Sequence, residues 1–402
     1  MTGWLTGRRV VLGVSGGIAA YKAIEVCRRL VDAGAYVAPI LTEDAQRFVG
    51  PTTFSALASE PVHTSLWDDA LGDPIPHTRL GQTADVIVVA PATARVLGSY
   101  AHGISGDLLV ATLLATRAPV VVCPAMHTEM WEHPAVQDNL ALLRSRGVHV
   151  VDPGVGRLAG GDSGAGRLAE PDDIVFAIER ALAPQDLAGR RVVVTAGGTR
   201  EPLDPVRYLG NRSSGRQGYA LAHEAALRGA GVTLVSTVDR WVPSTVTVVP
   251  VQTAAEMEEA TLAAAAGADA VIMAAAVADF RPKAVAPSKI KKAEGVPELV
   301  LEPTPDILAA LGERKPDGQV LVGFAAETSA VREEALAKLR RKRLDVIVAN
   351  DVTAPGAGFE HDTNQVNVLA ADGSEQNVPL TGKREVARIV LDAVVQRLGA
   401  RA

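Results

Sequence analysis

Two glycine-rich turns, one in each half of the chain, follow the same five residues. Gly-Arg-Arg-Val-Val occurs at 7–11 and again at 189–193; the first copy leads into Ser-Gly-Gly at 15–17 and the second into Gly-Gly-Thr at 197–199. Backbone N–H groups at a turn between a strand and a helix commonly bind the phosphate of a nucleotide. The repeat therefore predicts two nucleotide-binding domains and two linked chemistries.

The N-terminal turn is not a dinucleotide-binding fingerprint, because residues 13–19 lack the G-x-G-x-x-G spacing. The second apolar run ends in Leu41 and Thr42 rather than in an acidic residue. A hydroxyl at this place suits a phosphate or a flavin side chain better than an adenosine ribose. The alternative is a glycine turn that only packs a helix against a strand.

Two more segments and one histidine could contribute to a site in the first half. Ala-Pro-Ala-Thr-Ala at 90–94 and Pro-Ala-Met-His-Thr-Glu-Met-Trp at 124–131 each follow an apolar run, where parallel sheets bind ligands. His77 lies in a polar stretch, 76–79, which we interpret as a loop. The remaining histidines show no metal-ligand spacing, and we expect them at the surface or in helix caps.

In the second half, Ser213, Ser214 and Gly215 precede an alanine-rich stretch, an arrangement that favours anion binding at a helix N-terminus. Lys338 and Lys342 are four residues apart and share one helix face. That face either contacts a nucleotide or is simply solvated.

Apolar runs alternate with helical patterns along both halves, which is typical of a parallel sheet covered by helices. We predict an α/β protein with two doubly wound domains. Residues 1–183 form a flavodoxin- or Rossmann-like domain, 184–189 a linker and 190–402 a second Rossmann-like domain. Residues 154–166 are glycine-rich and predict a flap, and 279–303 predict a long irregular loop. The strands are predicted at 10–14, 36–41, 86–90, 119–123, 148–151, 192–195, 232–236, 270–274, 320–324 and 346–350.

Composition excludes several other classes of protein. The 402 residues are 48% apolar with a net charge of −6, which argues against nucleic acid or an anionic membrane as the main partner. The two cysteines lie in apolar segments and predict buried thiols in a reducing cytoplasm.

The motifs of the first half resemble those of the flavin-dependent cysteine decarboxylases, over nearly all of residues 5–180. The resemblance implies an FMN cofactor, which oxidises the carbon bearing sulfur so that CO₂ can leave, and His77 as the acid–base group. The residues implied in FMN binding are Ser15, Gly16, Ile18, Thr42, Pro91, Ala92, Thr93, Ala94 and Ala125. Those implied at the substrate are His127, Met130, Trp131 and Gly160.

Two residues depart from that family's pattern. His127 stands where the family usually has an asparagine that holds the substrate carboxylate, and an imidazole can still donate a hydrogen bond there. Gly160 stands where bacterial members commonly carry a cysteine in the flap, which is thought to supply a proton. Asp162, His127 and water are the candidate donors in its place.

The second half resembles phosphopantothenate–cysteine ligase over residues 189–398. Its motifs lie at 195–207, 211–218, 275–280, 289–292, 322–327 and 349–351. The resemblance implies activation of 4′-phosphopantothenate by CTP with Mg²⁺, whose protein ligands the sequence does not identify, and attack of cysteine on an acyl-cytidylate. It assigns catalytic roles to Asn211 and Lys289. Substrate contacts are implied for Ala275, Ala276, Asp279, Pro305, Asp306, Ile307, Leu308, Phe324, Lys338 and Lys342.

Together the resemblances predict a bifunctional enzyme that makes phosphopantothenoylcysteine and decarboxylates it to 4′-phosphopantetheine. They imply small-molecule substrates only and a homo-oligomer, a dodecamer built from trimers of the first half and dimers of the second. The rival hypotheses are a ligase with an impaired decarboxylase half and a non-catalytic regulatory flavoprotein.

Overall fold

The computed structural model describes residues 3–67, 74–292, 298–327, 331–351, 358 and 361–399. The chain divides into two compact units, Met1–Pro184 and Gln185–Ala402, named here the N-terminal and C-terminal units. Each has its own β-sheet, and the α/β class predicted from the sequence is confirmed. Within the described ranges, no helix combines the length and the apolar character needed to cross a membrane.

The N-terminal unit contains a parallel sheet whose strand order is β2-β1-β3-β4-β5. This is the flavodoxin-like order, in which ligands bind beyond the carboxyl ends of the strands where the order reverses. The reversal lies between β1 and β3. The strands are β1 (Arg9–Val14), β2 (Tyr36–Leu41), β3 (Val86–Ala92), β4 (Val120–Pro124) and β5 (His149–Val150).

Alternate residues of β1 enter different cores on the two faces of this sheet. Val10 and Leu12 pack in one core with Cys27 of the first long helix, and Val11 packs in the other with Leu109 and Leu140. The helices are α1 (Lys22–Asp32), α2 (Pro51–Leu57), α3 (Pro76–Thr83), α4 (Ala94–His102), α5 (Leu108–Leu114), α6 (Thr128–Trp131), α7 (Pro134–Ser145) and α8 (Pro171–Leu182), with short 3₁₀ helices at Ile18–Tyr21 and Ala45–Arg47.

The glycine-rich segment predicted as a flap forms an antiparallel hairpin of β6 (Gly154–Arg157) and β7 (Ser163–Arg167), called the flap hairpin below. At its tip, the Gly161 N–H donates to the Leu158 carbonyl and the Leu158 N–H donates to the Asp162 carbonyl.

The C-terminal unit has a larger sheet, of order β12-β11-β8-β13-β16-β17-β18-β19. The first six strands are parallel in the Rossmann order, and β18 and β19 add an antiparallel edge. The strands are β8 (Arg191–Ala196), β11 (Gly231–Ser236), β12 (Val246–Pro250), β13 (Ala270–Met273), β16 (Val320–Glu327), β17 (Val346–Asp351), β18 (Thr363–Ala370) and β19 (Glu375–Gly382). Two small hairpins are formed by β9 (Arg200–Pro202) with β10 (Tyr208–Gly210) and by β14 (Phe280–Pro282) with β15 (Leu301–Pro303).

The helices of this unit are α9 (Arg216–Leu227), α10 (Ala254–Ala265), α11 (Ile307–Arg314), α12 (Val331–Arg341) and α13 (Lys383–Gly399). Gly218 lets α9 approach β8 closely, because a Cβ at this position would lie 2.6 Å from that of Ala196. The N-terminus of α9 therefore lies at the end of β8, beside the second glycine turn.

Several predicted elements need correction. His77 lies in the first turn of α3 rather than in a loop. Pro76 occupies a first-turn position, which suits proline. The helix was hidden because Leu80 and Gly81 are the only residues after Pro76 that it buries. His63 is buried, not superficial, since it packs against Glu60. The stretch predicted as irregular at 279–303 contains the hairpin of β14 and β15. Strands β12, β18 and β19 were not predicted.

Candidate functional sites

A cavity of about 630 Å³ lies at the strand reversal of the N-terminal unit and is called the N-terminal cavity. The turn after β1, the loop after β3, the start of α6 and the flap hairpin line it. Its size falls in the range of cofactor sites. Of the residues predicted at the FMN and its substrate, the lining includes Gly16, Ile18, Pro91, Thr93, Ala94, Ala125, His127 and Met130.

Ser15 joins the two loops that border this cavity. It is 1% exposed, and its Oγ donates to the Pro91 carbonyl (2.7 Å) while accepting from the Thr93 N–H (3.0 Å). Gly16 has no room for a side chain, because a Cβ there would overlap Asp44. The resulting rigid turn leaves backbone beside the cavity where a phosphate could approach.

Like Ser15, three further residues predicted at this site lie outside the cavity lining. Thr42 is nearly buried, and its hydroxyl accepts from the Ala45 N–H, so it caps a 3₁₀ turn. Ala92 is buried at the end of β3. Trp131 is half-buried and packs on the core beneath α6.

His77 is also absent from the lining, and its environment is unusual. The ring is half-buried, and its Nδ1 is buried without a hydrogen-bond partner among the described residues. Arg79 follows His77 by two residues on α3. Its Nη2 lies 3.8 Å from Glu60 Oε1 and 3.4 Å from His63 Nε2. Burial acts to raise the pKa of Glu60, but the His63 hydrogen bond and the cations Arg9 and Arg79 outweigh it and lower the pKa to about 2. The helix carrying His77 is thus held by a fixed ionic cluster.

His127, at the mouth of the cavity, lies between two carboxylates. Its Nδ1 donates to Glu129 Oε2 (2.7 Å), and its Nε2 lies 3.5 Å from Asp162 Oδ2 on the flap hairpin. The hydrogen bond to Glu129 raises the pKa of His127, and the charge of Asp162 adds to that effect. Among the described residues, these three form the one group of histidine, cysteine and acidic side chains spaced to hold a metal ion, with ligand atoms within 4.8 Å of each other.

Gly160 lies on the exposed tip of the flap hairpin, outside the lining but against His127. A Cβ at position 160 would be 2.7 Å from His127 Nε2. The imidazole therefore fills the space that a side chain at this position would need.

A second cavity, of about 600 Å³, lies at the carboxyl ends of β8, β13 and β16 and is called the C-terminal cavity. The N-terminus of α9, including Ser213, Ser214 and Gly215, forms one wall. Apart from Lys289, all the predicted ligase residues line it: Asn211, Ala275, Ala276, Asp279, Pro305, Asp306, Ile307, Leu308, Phe324, Lys338 and Lys342.

Two hydrogen-bonded pairs shape this cavity. Asn211 Nδ2 donates to the carbonyls of Ala276 (3.2 Å) and Val277 (3.1 Å), which fixes the loop after β13. Asp306 caps α11 by accepting from the Ala309 N–H and also accepts from Lys342 Nζ (2.7 Å). Burial opposes the shift, yet Lys342 lowers the pKa of Asp306, so the pair is ionised.

Lys289 is exposed on a neighbouring loop whose backbone is fastened in place. The Ile290 N–H donates to Asp204 Oδ2 (3.2 Å), and Arg207 donates to the Ile290 carbonyl (2.7 Å). Asp204 also accepts from the Arg207 side chain and backbone. The structure thus places Lys289 outside the cavity wall, on a loop anchored by Asp204 and Arg207.

Two further polar residues of the cavity wall, Asn364 and Lys383, were not singled out by the sequence. Asn350, from the predicted motif at 349–351, lies at the end of β17, and its buried Oδ1 has no partner within the described part of the chain. Asn364 and Lys383 are brought in by the antiparallel edge, which gave no sequence signal. Lys383 is 6% exposed and donates to the Gly358 carbonyl (3.0 Å). Its burial, together with the charge of Arg216, lowers its pKa to about 8.

Comparisons with known proteins agree with these two units. Residues 2–183 match the family described as Flavoprotein, and residues 187–398 match the DNA/pantothenate metabolism flavoprotein C-terminal domain. The chain is 50% identical to the coenzyme A biosynthesis bifunctional protein CoaBC of Mycobacterium tuberculosis strain H37Rv, with 96% of each chain covered. It is 46% identical to the CoaBC protein of Bacillus subtilis strain 168, with 97% of each covered.

The chain belongs to the CoaBC family of bifunctional coenzyme A biosynthesis proteins. A crystal structure of the C-terminal domain of a CoaBC protein is also similar, at 43% identity and a TM-score of 0.46, covering 54% of this chain and 99% of that one. The resemblance predicted from the motifs is therefore confirmed. In this CoaBC family member the two cavities lie one in each matched domain.

Proposed function

We propose that the chain ligates cysteine to 4′-phosphopantothenate with CTP and then decarboxylates the product to 4′-phosphopantetheine with FMN. Decarboxylation is assigned to residues 1–183 and ligation to residues 190–402, with 184–189 as the linker. The observation that carries this proposal is the pair of cavities, each at the carboxyl edge of its own parallel sheet and each within a domain of the CoaBC family.

The N-terminal cavity has the features that FMN requires. Gly16 and Gly17 present backbone to the cavity, the Ser15 hydroxyl orders both bordering loops, and the lining offers apolar contacts from Ile18 and Met130 for a flavin ring. Pro91, Thr93, Ala94 and Ala125 would complete the contacts. The bound flavin would supply reversible oxidation at the carbon bearing sulfur.

His77 is proposed as the acid–base group of decarboxylation. Its ring is half-buried, and no hydrogen bond among the described residues fixes the tautomer at its buried Nδ1. The ionic cluster around Glu60 fixes the helix that carries it.

In the C-terminal cavity, we assign the lysine side chains to neutralising negative charge. Activation of a carboxylate by CTP gathers two polyanions, and the charge that develops must be neutralised. Lys338 and Lys342 line the cavity and would meet the nucleotide, with Mg²⁺ as a further cation. Lys289 is exposed outside the cavity wall and is proposed for the same role on its motif alone. Asn211 and Ala276 would position the phosphopantothenate.

Two alternative functions are less well supported. His127 and Gly160 suggested a ligase with an impaired decarboxylase half. However, the His127 imidazole occupies the space that a side chain at position 160 would need, so the two departures fit each other. A non-catalytic flavoprotein does not account for the second cavity or for full-length similarity to bifunctional relatives. We further propose that the protein acts in the cytoplasm as a homo-oligomer.

Mass spectrometry of the products tests the whole proposal. The purified protein is incubated with CTP, Mg²⁺, 4′-phosphopantothenate and cysteine. We expect phosphopantetheine, CMP and CO₂. Phosphopantothenoylcysteine as the final product would contradict the decarboxylase assignment alone, and the absence of any product would contradict both assignments.

A further inference from the structure

We propose that His127 is the proton donor that completes the decarboxylation, its imidazole standing in front of Gly160 where no flap side chain intervenes. This inference rests on the proposed function, because it names the residue that performs one step of that reaction.

The base of the flap hairpin is docked directly on the segment that carries His127. The Met126 N–H donates to the Gly166 carbonyl (3.0 Å), and Thr128 Oγ1 donates to the Ala165 carbonyl (2.9 Å). Side chains at 164 or 166 would collide with Thr128 or with the Met126 carbonyl, so glycine at both positions permits this contact. His127 is thereby held between two residues that are fixed to the hairpin.

At the other end of the hairpin, its tip closes over the imidazole. Gly160 contributes no side chain, and a Cβ there would lie 2.7 Å from Nε2. His127 lines the cavity, whereas Gly160 and Asp162 do not. Leu158 and Ala159 of the hairpin line the cavity as well, but of the two proton-carrying side chains at the tip, His127 and Asp162, the imidazole is the one that borders it.

The charges around His127 favour the protonated ring. Glu129 contacts Nδ1 from α6 and Asp162 faces Nε2 from the flap hairpin. The Glu129 hydrogen bond raises the pKa of His127, and Asp162 acts in the same direction. Arg157 and Arg167 also line the cavity and would attract the substrate's anionic groups. The protonated imidazole is the form that can give a proton to the substrate.

The reaction needs one such proton. When CO₂ leaves, the pair of electrons of the broken C–C bond moves towards sulfur and gives an enethiolate. The proton on His127 Nε2 then adds to the carbon that carried the carboxylate, the electrons of the C=C bond form the new C–H bond, and a thiocarbonyl is restored. His127 is left neutral and regains a proton from water. The thiocarbonyl carbon, which bears the sulfur, would take back the hydride that it gave to FMN in the oxidation step, so no further reductant is needed.

The decisive variant is His127→Asn, whose amide still donates a hydrogen bond to a carboxylate but has no acidic proton. In single turnovers of phosphopantothenoylcysteine, we expect CO₂ to be released while the organic product remains the ethenethiol, two hydrogens lighter than phosphopantetheine. The ratio of phosphopantetheine to CO₂ should fall by roughly 10²- to 10⁴-fold, the usual contribution of a general acid.

Three controls keep the outcome interpretable. Ligase activity and flavin content show that the variant is folded. Gly160→Ala places a methyl group against Nε2 and should lower the same ratio by displacing the ring, whereas Gly106→Ala, where a Cβ meets nothing within 4 Å, should leave it unchanged. The double variant His127→Asn, Gly160→Cys offers a thiol in the vacated space and should recover phosphopantetheine.

A second measurement does not depend on turnover. NMR titration of histidine-labelled, flavin-free protein should show a His127 pKa that decreases in Glu129→Gln. A His127 pKa that Glu129→Gln and Asp162→Asn leave unchanged would overturn the proposal.

The turnover outcomes separate this proposal from the proposed function. Phosphopantetheine formed in step with CO₂ at the wild-type rate by His127→Asn would overturn the proposal and leave the decarboxylase intact. Loss of CO₂ release in that variant would place His127 before the decarboxylation and also overturn it. Wild-type protein that releases no CO₂ would overturn the proposed function itself, and this inference with it.

Discussion

The Ser15 hydroxyl accepts a hydrogen bond from the Thr93 N–H at 3.0 Å and so joins the loops after β1 and β3. The same hydroxyl donates to the Pro91 carbonyl. Ser15→Ala removes both interactions and leaves a donor unpaired beside the cavity, at a cost of about 1–3 kcal/mol. We expect FMN affinity to fall by roughly one to two orders of magnitude, as measured by fluorescence titration of flavin-free protein.

Ser145→Ala is a suitable control for that prediction. Ser145 is exposed at the end of α7 and its hydroxyl bonds only its own helix, at the Leu142 carbonyl. Flavin affinity should be unchanged in this variant. Equal flavin affinities for Ser15→Ala and the wild type would contradict a role of Ser15 in ordering the site.

We expect Asp204 to affect ligation indirectly, by holding in place the loop that carries Lys289. The bonds from Ile290 and Arg207 make its carboxylate the anchor of the loop carrying Lys289. Asp204→Asn cannot accept all of these hydrogen bonds, and displacement of a catalytic group by about 1 Å can cost roughly 100-fold in rate. We predict a decrease of roughly 10- to 100-fold in the turnover number of ligation, with decarboxylation of added phosphopantothenoylcysteine unchanged.

The matched control is Asp317→Asn, an exposed carboxylate in the loop before β16 that lies outside the C-terminal cavity. Its ligase rate should equal that of the wild type. A wild-type turnover number in Asp204→Asn would show that the anchoring of the loop does not limit ligation.

The sequence predicted the parts of the fold that depend on local patterns. The apolar runs of β1 and β2 are buried on both faces and are bounded by turns. The continuous apolar residues and the turn residues beside them therefore predicted both strands. The antiparallel edge was missed because β18 and β19 alternate polar residues and are stabilised by pairing, which is not local. Lys383 was missed for the same reason, since that edge delivers it to the cavity.

For the candidate sites too, local motifs were predictable from the sequence, and contacts between distant residues were not. Motifs identified the loops at the ends of strands, and those loops line both cavities. The relationship between His127 and Gly160 was not predictable, because 33 positions of chain separate them and only the docking of the flap hairpin brings them together. Likewise, the polar sequence around His77 concealed a helix that tertiary contacts stabilise.

Glu60 is predicted to give the N-terminal unit an acid-sensitive part of its stability. Its folded pKa of about 2 lies below its ordinary value of 4.5. The ionised form therefore stabilises the fold fully above pH 4.5, and the contribution is lost as the pH falls through 2. Glu60→Gln should lower the free energy of unfolding at pH 7 by about 3 kcal/mol, from about 1.4 kcal/mol per pKa unit.

Urea unfolding at pH 7 and at pH 3 measures this effect. Roughly half of the difference between Glu60→Gln and the wild type should remain at pH 3. Glu43→Gln, at an exposed glutamate of the same unit, should show little change at either pH. A Glu60→Gln difference that is the same at both pH values would exclude ionisation of Glu60 as its cause.

From the lowered pKa of Lys383, we predict that the protein takes up protons when a nucleotide binds in the C-terminal cavity. Its pKa of about 8, lowered by burial and by Arg216, leaves it partly neutral near pH 8.5. A bound polyanion favours the charged amine and raises its pKa, so protons enter the complex between about pH 8 and 10. Calorimetric titration of CTP at pH 8.5, in buffers of different ionisation enthalpy, should give an uptake of roughly half a proton per site. Lys383→Arg keeps a permanent charge and should bind CTP without this uptake. Undiminished uptake in Lys383→Arg would assign the proton to another group.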